Sequence, residues 1–194
     1  TARTTGVTAH GSMPEQGVNA VYKAAHAISK LEDFDFNVAR DTLLGKPTLS
    51  VGSVHGGQNI NSVPDLAEIG IDIRTIPDQD HAAIRSDLAS YLGDDVALAP
   101  VVDVRGVLTD PANDWMQEIF DVMSCILGER PKANTAAYFT DASALTPAFG
   151  GVPTVILGPG EATMAHQTDE YCVVARIVEA VEAYTQIANR WNAR

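Results

Sequence analysis

The sequence has few basic residues, few cysteines and no long apolar run. Its 194 residues include 13 Lys and Arg against 25 Asp and Glu, a formal charge of −12. Binding to nucleic acid or to an anionic membrane surface requires a basic patch, so this charge argues against both partners. No apolar stretch approaches the roughly 18 residues that a membrane-spanning helix needs. The composition, 45% hydrophobic and 20% charged, is typical of a globular protein.

The two cysteines, Cys125 and Cys172, fall in segments with helical patterns that are far apart in sequence. We therefore expect two buried free thiols rather than a disulfide. In the absence of contrary signals, the cytoplasm is the expected compartment. The residues after Thr1 contain neither an initiating Met nor the apolar region of a signal peptide, so we expect a portion of a longer protein.

Residues 1–107 alternate between strand and helix patterns. The clearest strand is 67–74, where Ile69, Ile71 and Ile73 share one side. The predicted strands are 2–8, 48–55, 67–74 and 96–107, and the predicted helices are 17–31 and 77–93. This β-α-β-β-α-β order predicts a four-stranded antiparallel sheet with two helices on one face.

A turn cluster at 108–111 separates this domain from residues 108–194. The second region is predicted to contain a helix at 114–127, strands at 136–139 and 152–157, a loop at 158–168 and a helix at 169–191 capped by Thr168. These elements are too few to cover both faces of a buried parallel sheet. The predicted fold class is therefore α+β, a self-sufficient antiparallel domain followed by a partial α/β domain.

Two histidines are candidates for chemistry. His166 lies in a glycine-rich loop after an apolar run, where ligands bind in open α/β sheets, and imidazole is a common metal ligand. Asp169 or Glu170 could orient it, or could instead offset a helix dipole. His10 lies between a strand and a helix, where it could donate to a developing oxyanion. A solvated loop histidine is the alternative at both positions.

Three further polar residues are candidates for substrate contact. Asn61 lies in a tight turn that Asn also favours for structural reasons. Arg74 ends a strand, and its planar group suits a carboxylate or a neighbouring surface acid. Asp141 could ligate a metal, orient a His, bind substrate or cap a helix. The sequence contains neither a P-loop nor a Gly-x-Ser-x-Gly motif.

Four segments, taken in order, resemble the acetylornithine deacetylase / succinyl-diaminopimelate desuccinylase family of metallopeptidases. The first is Ala-His-Gly-Ser-Met-Pro with Gly-Val-Asn-Ala, and the second is Gly-Gly through Asn-Ser-Val-Pro to Asp-Ile-Arg. The third is Thr-Asp-Ala, and the fourth runs from Gly-Pro-Gly to His-Gln-Thr-Asp-Glu-Tyr. They occupy residues 9–20, 56–74, 140–142 and 158–171. The resemblance implies a lid, or dimerisation, domain at 1–107 and the C-terminal part of a catalytic domain at 108–194.

The resemblance also implies a role for each matching residue. His166 corresponds to a ligand of one of two metal ions, which are zinc, or alternatively cobalt. His10 corresponds to the lid histidine that stabilises the oxyanion in the partner subunit's active site. The implied substrate contacts are Asn61, Arg74, Thr140, Asp141 and Gly158. A homodimer formed through the lid is the expected assembly, and a carboxylate is the expected general base.

The expected activity is hydrolysis of an amide bond in a small N-acyl amino acid or peptide, most similar to that of acetylornithine deacetylase. A succinyl-diaminopimelate desuccinylase or an aminoacylase-like enzyme is the alternative within this class. A non-catalytic dimerisation module is the alternative from another class. The family's other metal ligands belong N-terminal to this chain, so we expect the chain by itself to bind no metal pair tightly and to be inactive.

Overall fold

The computed structural model describes residues 1–77, 79–136, 138–165 and 167–193. The chain divides into two compact units, Thr1–Gly106 and Val107–Arg194. Each unit has an apolar core of its own. Among the described residues, no helix combines the length and the apolar character needed to cross a bilayer.

The first unit is a four-stranded antiparallel sheet packed against two helices. Its strand order is β3-β5-β1-β6, and β2 and β4 form a separate two-stranded pair. The strands are β1 (Ala2–Thr5), β2 (Ala9–His10), β3 (Thr48–Gly56), β4 (Ser62–Val63), β5 (Leu66–Arg74) and β6 (Val96–Leu98), and the helices are α1 (Ala20–Glu32) and α2 (His81–Leu92). The predicted fold class and the order of the main elements are confirmed.

Alternate side chains of β5 point into the core of the first unit. Ala67 and Ile69 are almost fully buried, and Ile71 and Ile73 continue the same face against the core. Burying this face is favourable because apolar surface leaves water. The polar hydroxyl of Thr4, which is also buried, donates to the carbonyl of Ala20 at 2.8 Å and is therefore satisfied.

Helix α1 begins at Ala20, later than the predicted start at Gly17. The side chain of Asn19 accepts hydrogen bonds from the backbone N–H groups of Val21 and Tyr22, which makes Asn19 the N-cap. The residues before it form a short 3₁₀ turn, Pro14–Gln16. A polar cap therefore fixes the helix start, although the apolar spacing begins earlier.

The strand predicted at 96–107 is wrong in length, because β6 ends at Leu98. Pro100 follows closely and has no backbone N–H to donate to a sheet ladder. The irregular segment after it is tied to α2 through Asp103. The Asp103 carboxylate contacts His81 Nδ1 at 2.6 Å and also pairs with Arg85. Thr75 Oγ1 lies 3.0 Å from the other ring nitrogen of His81.

The described residues of the second unit form three α-helices and one short 3₁₀ helix, Ala162–Met164. The α-helices are α3 (Asp114–Leu127), α4 (Ala142–Ala148) and α5 (Val174–Asn192). Helix α3 matches its predicted range, because the Asn113 side chain caps its start and Gly128 adopts a left-handed φ of 78° after its end. Trp115 of α3 packs edge-to-face on Trp191 of α5 with ring centroids 5.0 Å apart.

The two strands predicted in this unit are wrong. Ala136, Tyr138 and Phe139 are not in a strand, and neither are residues 152–157. The apolar run is not buried on both faces either, since Ile156 is 44% exposed. A strand requires a ladder partner, and within the described part of this unit no strand is present to pair with it. Thr154 is held instead by two hydrogen bonds with the side chain of Thr109, each 2.9 Å.

Two further predictions in the second unit are corrected. Helix α5 begins at Val174 rather than 169, because Asp169 has a left-handed φ of 61° that is incompatible with a helix. Asp169 and Glu170 therefore do not lie in its first turn, and Thr168 does not cap it. Both cysteines, Cys125 and Cys172, are exposed rather than buried.

Asp103 is expected to stabilise the first unit in a pH-dependent manner. Its hydrogen bond with His81 holds the pKa of Asp103 below its usual value, and Arg85 adds to this effect. A lowered folded-state pKa gives stabilisation that is present above the unfolded pKa and is lost as the pH falls through the folded pKa. Asp103→Asn should therefore lower the urea midpoint at pH 7, and the difference from the parent should shrink in acid. Asp94→Asn, at an exposed carboxylate, is the control, and equal midpoints for both variants at pH 7 would contradict the expectation.

Candidate functional site

The strand pair β2–β4 brings two of the predicted site residues together. His10 pairs with Ser62 across this small sheet. The backbone N–H of Gly11 donates to the carbonyl of Asn61 at 2.7 Å. His10 and Asn61, 51 positions apart in the sequence, therefore lie on adjoining turns. Both residues are exposed, as groups that meet a substrate need to be.

One ring nitrogen of His10, Nδ1, contacts Ser12. This nitrogen lies 2.7 Å from Ser12 Oγ and accepts a hydrogen bond of 3.2 Å from the Ser12 backbone N–H. The carbonyl of His10 accepts from the N–H of Met13 at 2.8 Å, which closes the turn. Ser12 was not among the predicted site residues. The available signal was a hydroxyl residue two positions after a turn histidine, a spacing that permits a local side-chain-to-backbone contact.

Close packing holds the two turns against each other. A Cβ placed on Gly11 would lie 2.9 Å from the backbone of Asn61, and one on Gly17 would lie 2.7 Å from the carbonyl oxygen of Val7. Neither glycine has a left-handed φ. Glycine is therefore required at these positions for close approach of the chains rather than for backbone conformation. Within the Asn61 turn itself, the hydroxyl of Ser62 donates a hydrogen bond of 2.6 Å to the side chain of Asn59.

Arg74 lies at the opposite end of β5 from this pair of turns. It ends a strand of nine residues that begins at Leu66. At about 3.4 Å per residue, the two ends of β5 are separated by about 27 Å. Arg74 is ion-paired with Asp72 at 2.8 Å, and both side chains are about half exposed, at 47% and 55%. Within one copy of the first unit, Arg74 is thus not brought to His10 and Asn61.

In the second unit, Thr140 and Asp141 line a cavity of about 440 Å³. Its other walls come from α4 and from the apolar segment 152–157. Asp141 occupies the N-cap position of α4, but its side chain makes no capping hydrogen bond. Thr140 Oγ1 accepts from the N–H of Ala142 at 3.3 Å. Gly158 follows the same apolar segment, and a Cβ there would meet no atom within 4 Å. Thr140 and Asp141, which are neighbours in the sequence, thus line the same cavity. Gly158 has open space around its Cβ position.

His166, the predicted metal ligand, lies outside the described residues. Among residues 1–77, 79–136, 138–165 and 167–193, no group of three His, Cys, Asp or Glu side chains is arranged to hold a metal ion. A dinuclear centre requires several deprotonated ligands. The donors that the structure describes therefore do not form such a centre by themselves.

A family model, described as the peptidase dimerisation domain of the M20 family, matches residues 1–97. That range is half of the 194 residues. It contains both helices, the His10–Asn61 turns and the sheet except for Leu98, the last residue of β6. The chain belongs to the M20 peptidase family. Membership agrees with the resemblance found in the sequence motifs.

Curated relatives of this M20 chain match both of its units. An acetylornithine deacetylase of Salmonella arizonae is 29% identical over 209 aligned positions, which cover 97% of this chain and 50% of that protein. The acetylornithine deacetylase of Salmonella newport gives the same values. The chain thus spans about half the length of the curated relatives that it matches.

Solved structures of peptidases have a similar fold. A tripeptidase from Staphylococcus aureus is 26% identical, with a TM-score of 0.68 over 96% of this chain and 49% of its own. An M20 family metallo-carboxypeptidase from Sulfolobus solfataricus has a TM-score of 0.72 at 16% identity, covering 96% of this chain and 56% of its own. At 16% identity, the similarity to the Sulfolobus solfataricus enzyme concerns the fold alone.

The contact between Gly11 and Asn61 can be tested by adding one methyl group. Gly11→Ala should push the His10 turn away from Asn61, because the new Cβ would lie 2.9 Å from the Asn61 backbone. The expected cost in unfolding free energy is about 1–3 kcal/mol, with shifted amide resonances in both turns. Gly106→Ala is the matched control, since a Cβ there meets nothing within 4 Å. Equal stability and unchanged resonances in both variants would contradict the packing argument.

Proposed function

We propose that this chain supplies the lid and the C-terminal catalytic part of an M20 amide hydrolase. The proposed reaction is metal-dependent hydrolysis of the amide bond in a small N-acyl amino acid or peptide, in a cytoplasmic enzyme. The observation that carries the proposal is the position of His10 and Asn61 on adjoining turns, inside a domain that matches the family model. Two exposed polar groups on tightly packed turns are suited to contact one substrate.

His10 is the proposed oxyanion-stabilising residue. Its Nδ1 accepts from Ser12, so the neutral ring has Nε2–H available as a hydrogen-bond donor. A fixed donor aimed at developing negative charge lowers the barrier to amide hydrolysis, because it needs no reorganisation during the reaction. Asn61, on the adjoining turn, is the proposed partner that contacts the substrate.

His166 is proposed as the ligand that this chain gives to a metal centre of two zinc ions, with cobalt as the alternative. Such ions polarise the amide carbonyl and supply a hydroxide when bound. The donors among the described residues do not complete the site. The remaining ligands are therefore proposed to lie in a further part of the full-length protein, which would correspond to the half of the relatives that this chain does not match.

The curated relatives favour a substrate similar to that of acetylornithine deacetylase. The similarity to a tripeptidase makes a small peptide a second candidate substrate. Arg74 is the proposed partner of the substrate carboxylate, because its planar group binds carboxylates with two parallel hydrogen bonds. Thr140, Asp141 and Gly158 are proposed to contact the remainder of the substrate. A succinyl-diaminopimelate desuccinylase or an aminoacylase-like enzyme is the alternative within the same reaction class.

The metal requirement can be tested in two steps. Calorimetry with the 194-residue chain should detect no tight binding of two zinc ions, because its described residues do not form a metal site. The full-length gene product should hydrolyse N-acetylornithine, lose the activity with chelator and regain it with added zinc. Activity that chelator does not abolish would contradict the metal-dependent mechanism, and tight two-site binding by the chain would contradict the proposed division of ligands.

A homodimer through the edge of the first unit's sheet is the proposed assembly. Strand β3 is the long outer strand, with nine residues and one free edge in the described sheet. It contains no Lys, Arg, Asp, Glu or Pro, the residues that usually protect an open edge from pairing. Val54 on this strand is 52% exposed. An uncharged edge of this length is suited to pairing with the same edge of a second copy.

Such pairing would join the separated site residues across the dimer. Gly56, at one end of β3, pairs with Ala67, and Thr48, at the other end, pairs with Arg74. Two-fold antiparallel pairing of β3 with its copy would align the Arg74 end of one subunit with the partner's Gly56 end. The partner's His10 and Asn61 would then lie at the same end of the joined sheet as Arg74. Three interstrand spacings of about 4.8 Å separate the two β5 strands in that arrangement.

A single charge on β3 should prevent this assembly. A side chain at Gly52 would enter open space, since no atom lies within 4 Å of its Cβ position. Gly52→Lys should leave the fold intact and convert a dimer into a monomer in analytical ultracentrifugation. Gly52 lies in the middle of β3, so two-fold pairing would bring the two ammonium groups close together, and like charges that face each other across a ladder are destabilising. Gly106→Lys, which is equally open, should remain dimeric. A dimeric Gly52→Lys variant would contradict pairing through β3.

A non-catalytic dimerisation module is the second candidate function. The first unit has its own core and accounts for the entire match to the family model. This candidate would be favoured if the full-length gene product forms a dimer but hydrolyses no N-acyl amino acid or peptide with zinc or cobalt present.

A further inference from the structure

We infer that Ser12 is a positioning residue for His10. It holds the imidazole in one orientation, with Nε2–H directed away from the turn as a hydrogen-bond donor. The catalytic part of this inference rests on the oxyanion role proposed for His10. The backbone N–H and the hydroxyl of Ser12 both contact the His10 ring, so Ser12 would act through that ring.

The two contacts of Ser12 determine which ring nitrogen bears the proton. A backbone N–H can only donate, so Nδ1 of His10 is the acceptor of the 3.2 Å hydrogen bond. The hydroxyl, 2.7 Å from the same nitrogen, then serves as a second donor to it. A neutral imidazole has one acceptor and one donor nitrogen. The proton of neutral His10 therefore lies on Nε2.

The same contacts fix the direction of the ring. His10 is exposed, and an exposed side chain without partners exchanges freely among rotamers. Its backbone is held by the pairing with Ser62 and by the hydrogen bond from Met13 to its carbonyl. Ser12 adds the restraint at the ring end. Backbone and ring are thus fixed separately, which is what a pre-oriented donor requires.

Nuclear magnetic resonance of the 194-residue chain can test this geometry without any activity. The parent should have the neutral His10 proton on Nε2 and a ring order parameter close to that of the surrounding backbone. Ser12→Ala should lower the ring order parameter, because it removes the hydroxyl contact, and Ser12→Thr should retain it. Ser86→Ala, at an exposed serine of α2, is the control. An unchanged ring order parameter in Ser12→Ala, or a parent proton on Nδ1, would overturn the inference.

Kinetics of the full-length gene product test the catalytic part. Ser12→Ala should lower kcat roughly two- to tenfold, the equivalent of one neutral hydrogen bond, with KM nearly unchanged. Ser12→Thr should restore kcat. In the His10→Ala background, Ser12→Ala should cause no further loss, because Ser12 acts through His10.

Two outcomes separate this inference from the proposed function. An equal loss from Ser12→Ala with and without His10 would overturn the positioning role, even if His10 itself is essential. Full activity of His10→Ala would remove His10 from the mechanism and with it the catalytic part of the inference. The resonance experiment tests the ring orientation independently of either result.

Discussion

The central strand β5 determines the positions of its own polar residues and of the turns at its two ends. Its alternating side chains bury one face against α1 and α2 and leave the other face to Glu68, Asp72 and Arg74. A shift of one residue in its pairing with β1 or β3 would exchange these faces, and the core would be lost. The register is therefore strongly specified. The His10 and Asn61 turns adjoin one end of this strand and Arg74 ends the other, so their separation is a consequence of the core.

Local signals in the sequence predicted the elements that depend on local contacts. Helix α3 has a polar cap at Asn113 and a left-handed Gly128, and both of its ends were predicted correctly. The apolar run 152–157 had the composition of a buried strand, but a strand is defined by its partner, and composition carries no information about one. Pro100 and Asp169 illustrate a second reason why apolar patterns do not predict the ends of strands and helices. Each is a single backbone restriction that shortened an element whose apolar pattern continued.

The sequence predicts a set of residues for the candidate site, but it does not predict how they are arranged in space. The motifs identified His10, Asn61 and Arg74, and the family model supports the domain that contains them. Their spatial relation depends on the pairing of β2 with β4 and on the length of β5, which are contacts between distant parts of the sequence. Ser12 was not singled out because its role arises from the shape of one turn. His166 remains a prediction, because it lies outside the described residues.

The bulge in β3 has a consequence for which strands can pair with this edge. The ladder with β5 shifts register between Val51 and Ser53, close to the middle of the strand. A bulge bends its strand and increases the local twist, so a regular foreign strand would form hydrogen bonds along one half of the edge and diverge along the other. In the proposed dimer, the second copy would bring the same bulge to the paired edge. The bulge would therefore restrict which strands can pair with this edge, and it would disfavour continued growth of the sheet into aggregates.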